Sequence, residues 1–379
     1  KELIKKCRAI GIPDYEYPFN TNSKGLVSLR TYVKKLELQY AEFAIRRESE
    51  NAKQKYHSTG TGYKYILDPL APYSTVQIDG HKIDMLYTVP VETKNGEIVY
   101  KHAIRAYLII VADVGSRVVL GYHLTPRENY NQTDVLKAIR NAIEPHDRMN
   151  FTIRGFEYPQ NGGFPSHFIE KTSWAMFDNI MFDNAKAHLA SDVQDKILTQ
   201  LRCGLNYGPV KQPISRGICE RIFRKLEENG YHRTPSTTGC NINDPRRRNA
   251  VRDAEKYKVS FEDLEEMTEY FISEYNNDPN SSLDYKTPLE CMNDRINENG
   301  MVPYRANEEM MKIVKNLTSF TLIRKVRGSV KNGRRPYINY EGTEYRNELI
   351  SKNFVFLNKE IKIVVNPDNI RTVHAFTLE

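Results

Sequence analysis

Residues 103–124, AIRAYLIIVADVGSRVVLGYHL, set the frame for the rest of the chain. Two runs rich in Val, Ile, Leu and Tyr, Ala103 to Asp113 and Arg117 to Leu124, are parted only by Val114, Gly115 and Ser116. That composition and spacing predict two strands joined by a tight turn. Upstream, Ser74 to Asp79 and Lys82 to Val89 are strand-like too, and Asn95-Gly96 marks a hairpin turn or loop tip before Ala103. Downstream, the pattern is helical over Gln132 to Ile143, strand-like over Asn179 to Phe182, and helical over Lys186 to Leu201 and Ile214 to Glu228. Antiparallel strands followed by alternating helix and strand predict an α/β layer fold with a mixed sheet. Residues 145–177 hold Gly155, Pro159, Gly162, Gly163 and Pro165 and read as a long surface excursion from it.

Outward from this core the character changes at both ends. Residues 2–10 and Ser28 to Leu38 are helical patterns around a Pro/Asn/Ser/Gly-rich break, as in a helix-turn-helix remnant. The second carries Arg30, Lys34 and Lys35; it either enters a major groove or simply packs on its neighbour. Arg46 to Tyr56 reads as a polar linker. Phe261 to Tyr275 is a strongly amphipathic helix, closed by Asn276-Asn277-Asp278-Pro279. From Leu317 onward, short alternating runs separated by Arg327-Gly328, Asn332-Gly333, Glu341-Gly342 and Asn366-Pro367 predict a small β-barrel. The expected domains are a helical DNA-binding segment and linker over 1–56, a catalytic domain over 57–300 and the barrel over 301–379.

Composition narrows the function classes. No run of about 18 apolar residues occurs, so no transmembrane helix is expected. The start, Lys1-Glu2-Leu3-Ile4-Lys5-Lys6, has no initiator Met and no signal-peptide core, and predicts a fragment of a longer protein. Cys7, Cys203, Cys219, Cys240 and Cys291 are scattered without a CxxC pair, as expected of reduced cytosolic thiols, and no histidine spacing matches a zinc site. Residues 310–379 carry 13 Lys and Arg against 6 Asp and Glu, which accounts for the whole net charge of +7. A basic excess confined to one end predicts a polyanion-binding module on a neutral body, although a solvated basic face has the same composition.

Three acids stand out. Asp79 closes the run Val76-Gln77-Ile78-Asp79, and Asp183 closes Ile180-Met181-Phe182-Asp183. Both are expected at strand ends, where side chains project into the crevice at a sheet edge. Glu220 lies on a predicted helix, off the apolar stripe Ile218, Ile222 and Leu226, so burial does not account for it. Singly, each has another reading: a strand-end Asp caps helices or turns, and a helical Glu is usually surface charge. Jointly, three converging carboxylates need a cation, and hard oxygen donors favour Mg2+ or Mn2+, two of which suit in-line phosphoryl transfer.

With these residues in view the sequence resembles the DDE transposases and integrases, which have a ribonuclease-H-like core, and within them the TnsB and phage Mu transposase branch. The resemblance rests on Ile78-Asp79-Gly80-His81-Lys82-Ile83-Asp84 around the first acid. Next, residues 112–122 match the branch's D-x-x-S-R-x-x-x-G-Y strand pair, from Asp113 through Ser116 and Arg117 to Gly121 and Tyr122. Phe182-Asp183-Asn184-Ala185 is similar to the second-acid motif, and Ile218-Cys219-Glu220-Arg221-Ile222-Phe223 to the third-acid helix. Tyr275-Asn276-Asn277, Thr287-Pro288-Leu289-Glu290 and, in the barrel, Gly342-Thr343-Glu344-Tyr345 with Leu349 match further elements. Two departures are the long interval from Asp79 to Asp183, 104 positions, and Ala185 where many integrases have glycine.

The resemblance implies metal ligation and catalysis by Asp79, Asp183 and Glu220. It also implies a transposase that binds transposon ends in double-stranded DNA, nicks 3′ ends and transfers them into target DNA. Further implied are a homo-multimer synapsing two ends, an AAA+ target-selection ATPase, possibly a partner endonuclease, and a prokaryotic cytoplasmic, nucleoid-associated setting. An integrase-like recombinase of another branch and a catalytically silent DNA-binding protein are the competing readings. Asn184 and His188 are expected to orient Asp183 or touch phosphate, with a helix cap as the alternative for Asn184. Asp113 is expected to fix a turn with Ser116 and Arg117, and Asp84 likewise to be a turn residue. Arg246, Arg247 and Arg248 either grip DNA backbone or form a solvated helix face. Arg324, Lys325, Arg327, Lys331, Arg334 and Arg335 are expected to touch DNA backbone. Glu227, about 10 Å beyond Glu220 along the helix, is expected to lie too far away to share a metal with Asp79 and Asp183, so Glu227→Gln should do little to nicking and joining.

Overall fold

A computed structural model describes residues 2–45, 47–49, 52–53, 56, 71–93, 95–102, 105–127, 129–182, 191–206, 217–239 and 244–378. The chain divides into two units, residues 1–65 with 211–214, and residues 66–210 with 215–379. Among the described residues, no helix is long and apolar enough to cross a membrane.

The first unit contains helices α1 (Glu2–Ala9), α2 (Leu26–Gln39) and α3 (Ala41–Ile45). Residues 10–25 join α1 to α2, a longer connection than the roughly four-residue turn of a compact helix-turn-helix. Gly25 starts α2 with φ 76°, and a Cβ there would lie 2.7 Å from the Cβ of Pro18, so both conformation and space demand glycine. α2 buries none of its residues, and Arg30, Lys34 and Lys35 are all exposed on it.

The second unit is built on a five-stranded sheet in the order β5-β4-β1-β6-β7. Its strands are β1 (Thr75–Lys82), β4 (Tyr107–Asp113), β5 (Val119–Thr125), β6 (Asn179–Phe182) and β7 (Gly204–Asn206). β1, β4 and β5 are mutually antiparallel, and β6 and β7 run parallel to β1. This mixed order, three antiparallel strands then two parallel ones, is the ribonuclease-H-like core expected from the sequence. Side chains of β4 divide by parity: Ile109 and Val111 enter one apolar cluster, and Leu108, Ile110 and Ala112 enter the other. Both faces are covered, which is why residues 107–113 read as an unbroken apolar run.

The first face is covered by α4 (Gln132–Ile143), which buries Val135, Leu136, Ala138, Ile139, Ala142 and Ile143. Its start is fixed by a capping box, in which Asn131 accepts from the Thr133 and Asp134 amides and Asp134 accepts from the Asn131 amide. A Cβ on Gly121 would lie 2.6 Å from the Ala142 nitrogen, so the glycine of the Gly121-Tyr122 pair lets α4 close on β5. Beyond it come the short helix α5 (Ser191–Asp195), then α6 (Gly217–Asn229), α7 (Ala250–Tyr257), α8 (Phe261–Asn276), α9 (Pro288–Asn293), α10 (Glu308–Lys315) and α11 (Glu348–Lys352). α6 and α8 contribute to the apolar cluster on the opposite face.

Three expectations change. Asp79 does not end its strand: β1 stays paired with β4 through Lys82 after its pairing with β6 stops at Ile78. Lys82 to Val89 is not a second strand, because residues 83–87 turn away and bury Ile83, Met85 and Tyr87; a separate hairpin, β2 (Thr88–Glu92) with β3 (Ile98–His102), follows around Asn95-Gly96. Residues 145–177 are only in part a surface excursion: none of 145–161 is buried, whereas 162–165, 169, 172 and 175–177 are. Phe164 is fully buried with the His146 ring stacked 3.7 Å from it, and Glu269 of α8 receives His146 Nε2 and the Tyr158 hydroxyl.

Asn276 shows what the Tyr275-Asn276-Asn277 element does. Its amide donates to Val119 O and Gly163 O and its Oδ1 accepts from the Val119 amide, while the Tyr275 hydroxyl donates to Arg117 O. One buried side chain thus ties β5 to the 145–177 segment. Asn276→Ala should lower unfolding stability by about 3 kcal/mol, because buried backbone groups on two segments lose their partner. Urea unfolding reads this directly, and a loss below about 1 kcal/mol would show the clamp to be dispensable.

The C-terminal part has its own core of Val326, Ile338, Tyr340, Ile350, Ile361, Ile363 and Val365. One three-stranded sheet, β13-β12-β8 (Val373–Phe376, Glu360–Val365, Phe320–Lys325), and another, β11-β10-β9 (Thr343–Tyr345, Arg334–Tyr340, Arg327–Ser329), supply it, in line with the expected small barrel. Asp368 links it to α4. Burial opposes ionisation there, but hydrogen bonds from Arg140 and Lys137 hold the carboxyl down to about 2.

Candidate active site

The period-2 geometry of β1 decides which side chains face α6. Val76 and Ile78 enter the α4-side cluster, so Gln77, Asp79 and His81 point to the other face. On α6, residues four apart share a row, and the row Cys219, Phe223 and Glu227 tracks β1 step by step. The Cys219 thiol donates to Gln77 O at 3.7 Å, the Phe223 ring stacks on the His81 ring at 4.9 Å, and Glu227 Oε1 accepts from His81 Nε2 at 2.8 Å. The Asp84 amide also donates to Glu227 Oε1, at 2.9 Å.

Asp79 is half-buried on β1, with Oδ1 accepting from the Gly80 amide at 2.8 Å. It is the first β1 residue past the β6 pairing, whose last pair is Ile78 with Phe182. Glu220 stands exposed on the first turn of α6, one residue from Cys219. The fully buried Cys219 thiol is pushed well above its ordinary range, first by burial and then by the negative charges of Asp79 and Glu220. Glu220 is thus next in sequence to the residue through which α6 contacts β1, and Asp79 lies two residues beyond the contacted Gln77. Asp183, which follows Phe182 in sequence, lies outside the described residues, as do Asn184 and His188.

The remaining residues sort clearly. Asp113 is fully buried and accepts from the Tyr73 amide and from the Ser116 amide and hydroxyl, and burial raises its carboxyl. It fixes the β4–β5 turn, as expected. Asp84 pairs with Arg105 and meets His232 Nε2 at 3.3 Å. Arg246 is held by Asp244 and by the His232 carbonyl, whereas Arg247 and Arg248 are exposed. Arg327, Lys331, Arg334 and Arg335 gather on the β9–β10 hairpin and its turn; Arg334 pairs with Glu344 and lies over the Tyr337 ring. Lys325 is exposed on β8, and Arg324 lies 6.0 Å over the Tyr340 ring. Glu227 has a structural part that the sequence did not show: it is 4% exposed and receives two hydrogen bonds from the β1 side. The signal was present in the spacing Cys219, Phe223, Glu227, a second row beside the apolar stripe.

Residues 77–236 match the family model of the TnsB C-terminal domain. Over that stretch the chain is similar to the TnsB C-terminal domain. The matched stretch includes Asp79, Asp183 and Glu220. No curated protein matches. Among solved structures, the catalytic core domain of BIV integrase is similar at 12% identity and a TM-score of 0.32, over 60% of this chain and 99% of that one. A chain of the simian T-cell lymphotropic virus intasome in complex with PP2A regulatory subunit B56 gamma is similar at 13% identity and a TM-score of 0.32. The shares covered there are 90% and 95%.

Proposed function

We propose that this TnsB-like chain is a DDE transposase whose Asp79, Asp183 and Glu220 form one catalytic site for 3′-end nicking and strand transfer. The observation that supports the reading is the contact of α6 with β1 beside both acids: Cys219, the neighbour of Glu220, donates to Gln77 O, two residues before Asp79. Their carboxylates are hard oxygen donors, which fit Mg2+ or Mn2+, and Asp183 adds a third. A bound pair of such ions supplies charge neutralisation at the attacking and leaving oxygens of an in-line displacement. The protein's own part is to hold these acids on a strand and a helix braced by the 219/223/227 row. Cys219 is no nucleophile, since burial and the adjacent carboxylates keep the thiol protonated. Water, then a DNA 3′-hydroxyl, supplies the attacking oxygen. Asn184 and His188 are assigned to orienting Asp183 or the substrate phosphate.

Incubating the protein with DNA carrying candidate element ends and a target duplex tests this. Joined products should form in Mg2+ and vanish with EDTA; failure to join any candidate end in either Mg2+ or Mn2+ would favour a silent DNA-binding protein. Assembly as a homo-multimer on paired ends, an AAA+ ATPase partner and possibly an endonuclease belong to the same proposal. So do the domain roles: end recognition by residues 1–56 through Arg30, Lys34 or Lys35, catalysis by 57–300, and backbone contacts by 301–379.

The basic hairpin gives a separate expectation. Lys331→Ala with Arg335→Ala should weaken DNA binding about equally for all sequences and reduce the slope of log affinity against log salt by roughly one unit per lost phosphate contact. A slope equal to the parent's would place the DNA elsewhere.

A further inference from the structure

We propose that Asp84, Glu227 and His232 form a second metal site, apart from the catalytic acids, that takes one divalent transition ion of the zinc type. Among the described residues, these three offer ligand atoms that all lie within 4.8 Å of one another. Each carboxylate has one oxygen already held. Glu227 Oε1 accepts from His81 Nε2 and the Asp84 amide, and Asp84 Oδ1 is paired with Arg105. That leaves Glu227 Oε2, Asp84 Oδ2 and His232 Nε2 facing one point, with the nitrogen 3.3 Å from each oxygen. An edge of about 3.3 Å is what tetrahedral ligands show around an ion bound at about 2.0 Å.

The second observation is the state of Glu227 Oε2. The side chain is 6% exposed, and Oε2 is buried yet accepts no hydrogen bond. A buried carboxylate oxygen without a hydrogen is costly to leave unmatched. The partners on the other oxygens are the outer-shell contacts that orient metal ligands. One imidazole and two carboxylates suit zinc, whereas Mg2+ prefers an all-oxygen octahedron with several waters. The ligands come from the loop after β1, the end of α6 and the turn Tyr231–Arg233. An ion there would pin the far end of the helix that carries Glu220, about 10 Å along its axis from that acid. The competing state is an imidazolium of His232 lying between the two carboxylates.

The test is metal retention by the EDTA-stripped full chain, dialysed against micromolar zinc in excess Mg2+ and assayed by mass spectrometry of the metal. One zinc per chain should remain, the same in a protein carrying both Asp79→Asn and Glu220→Gln, and be lost in His232→Gln. Cobalt loaded into the parent protein should show the visible bands of a tetrahedral nitrogen and oxygen site with no thiolate charge-transfer band. This second reading stands even if His232→Gln does not fold. Failure of the parent to hold zinc, retention by folded His232→Gln, loss with the catalytic acids, or a thiolate band would each overturn the proposal.

Discussion

Glu220→Gln is expected to lower 3′-end nicking and strand transfer together by at least about 1000-fold, with folding and DNA binding at parent levels. The change keeps the side chain's shape and removes its charge. Glu220 is exposed on the first turn of α6 and carries no packing, so the fold has little to lose. Its neighbour Cys219 contacts Gln77 of β1, the strand that carries Asp79. Gel-based nicking and joining assays, beside circular dichroism and a binding isotherm, separate the outcomes. Joining in Mg2+ at near the parent rate would remove Glu220 from the site.

Seven residues further along the same helix, Glu227→Ala should give the opposite phenotype. Glu227 is buried and meets His81, the Asp84 amide and His232, so its loss strips partners from several half-buried groups at once. Breaking a buried charged network in this way costs about 3 kcal/mol or more. The denaturation midpoint should fall accordingly, while the fraction that remains folded still nicks ends, because Asp79 and Glu220 keep their places. A midpoint equal to the parent's would contradict the brace between β1 and α6.

The contrast between these glutamates shows what was legible. Gln132–Ile143 and Asn179–Phe182 were readable to the residue, since a capping box announces the helix and an apolar run bounded by polar residues announces the strand. The break at Gly80-His81-Lys82 misled, because a strand that keeps pairing on only one side after its other neighbour ends has no periodic signature. Residues 145–177 looked like a surface loop from their Gly and Pro content. What helps to bury the part from residue 162 onward is Phe164 stacked on His146 and Asn276 reaching Gly163 from 113 positions away, a contact that local pattern does not encode. Glu220 was legible as an acid that burial did not explain, and Asp79 as the acid closing an apolar run, although its strand runs on to Lys82. Glu227 was not, because a charged residue on a helix reads as solvated until its row, Cys219 and Phe223, is laid against β1.

Whether three acids make one site serving both reactions is tested by comparing uncut ends with precut ends bearing free 3′-hydroxyls. Asp79→Asn, Asp183→Asn and Glu220→Gln are each assayed in Mg2+ on both substrates. Every variant should bind both DNAs and join neither, so that supplying the nick in advance rescues nothing. Joining of precut ends at near the parent rate by any one of the three would contradict it.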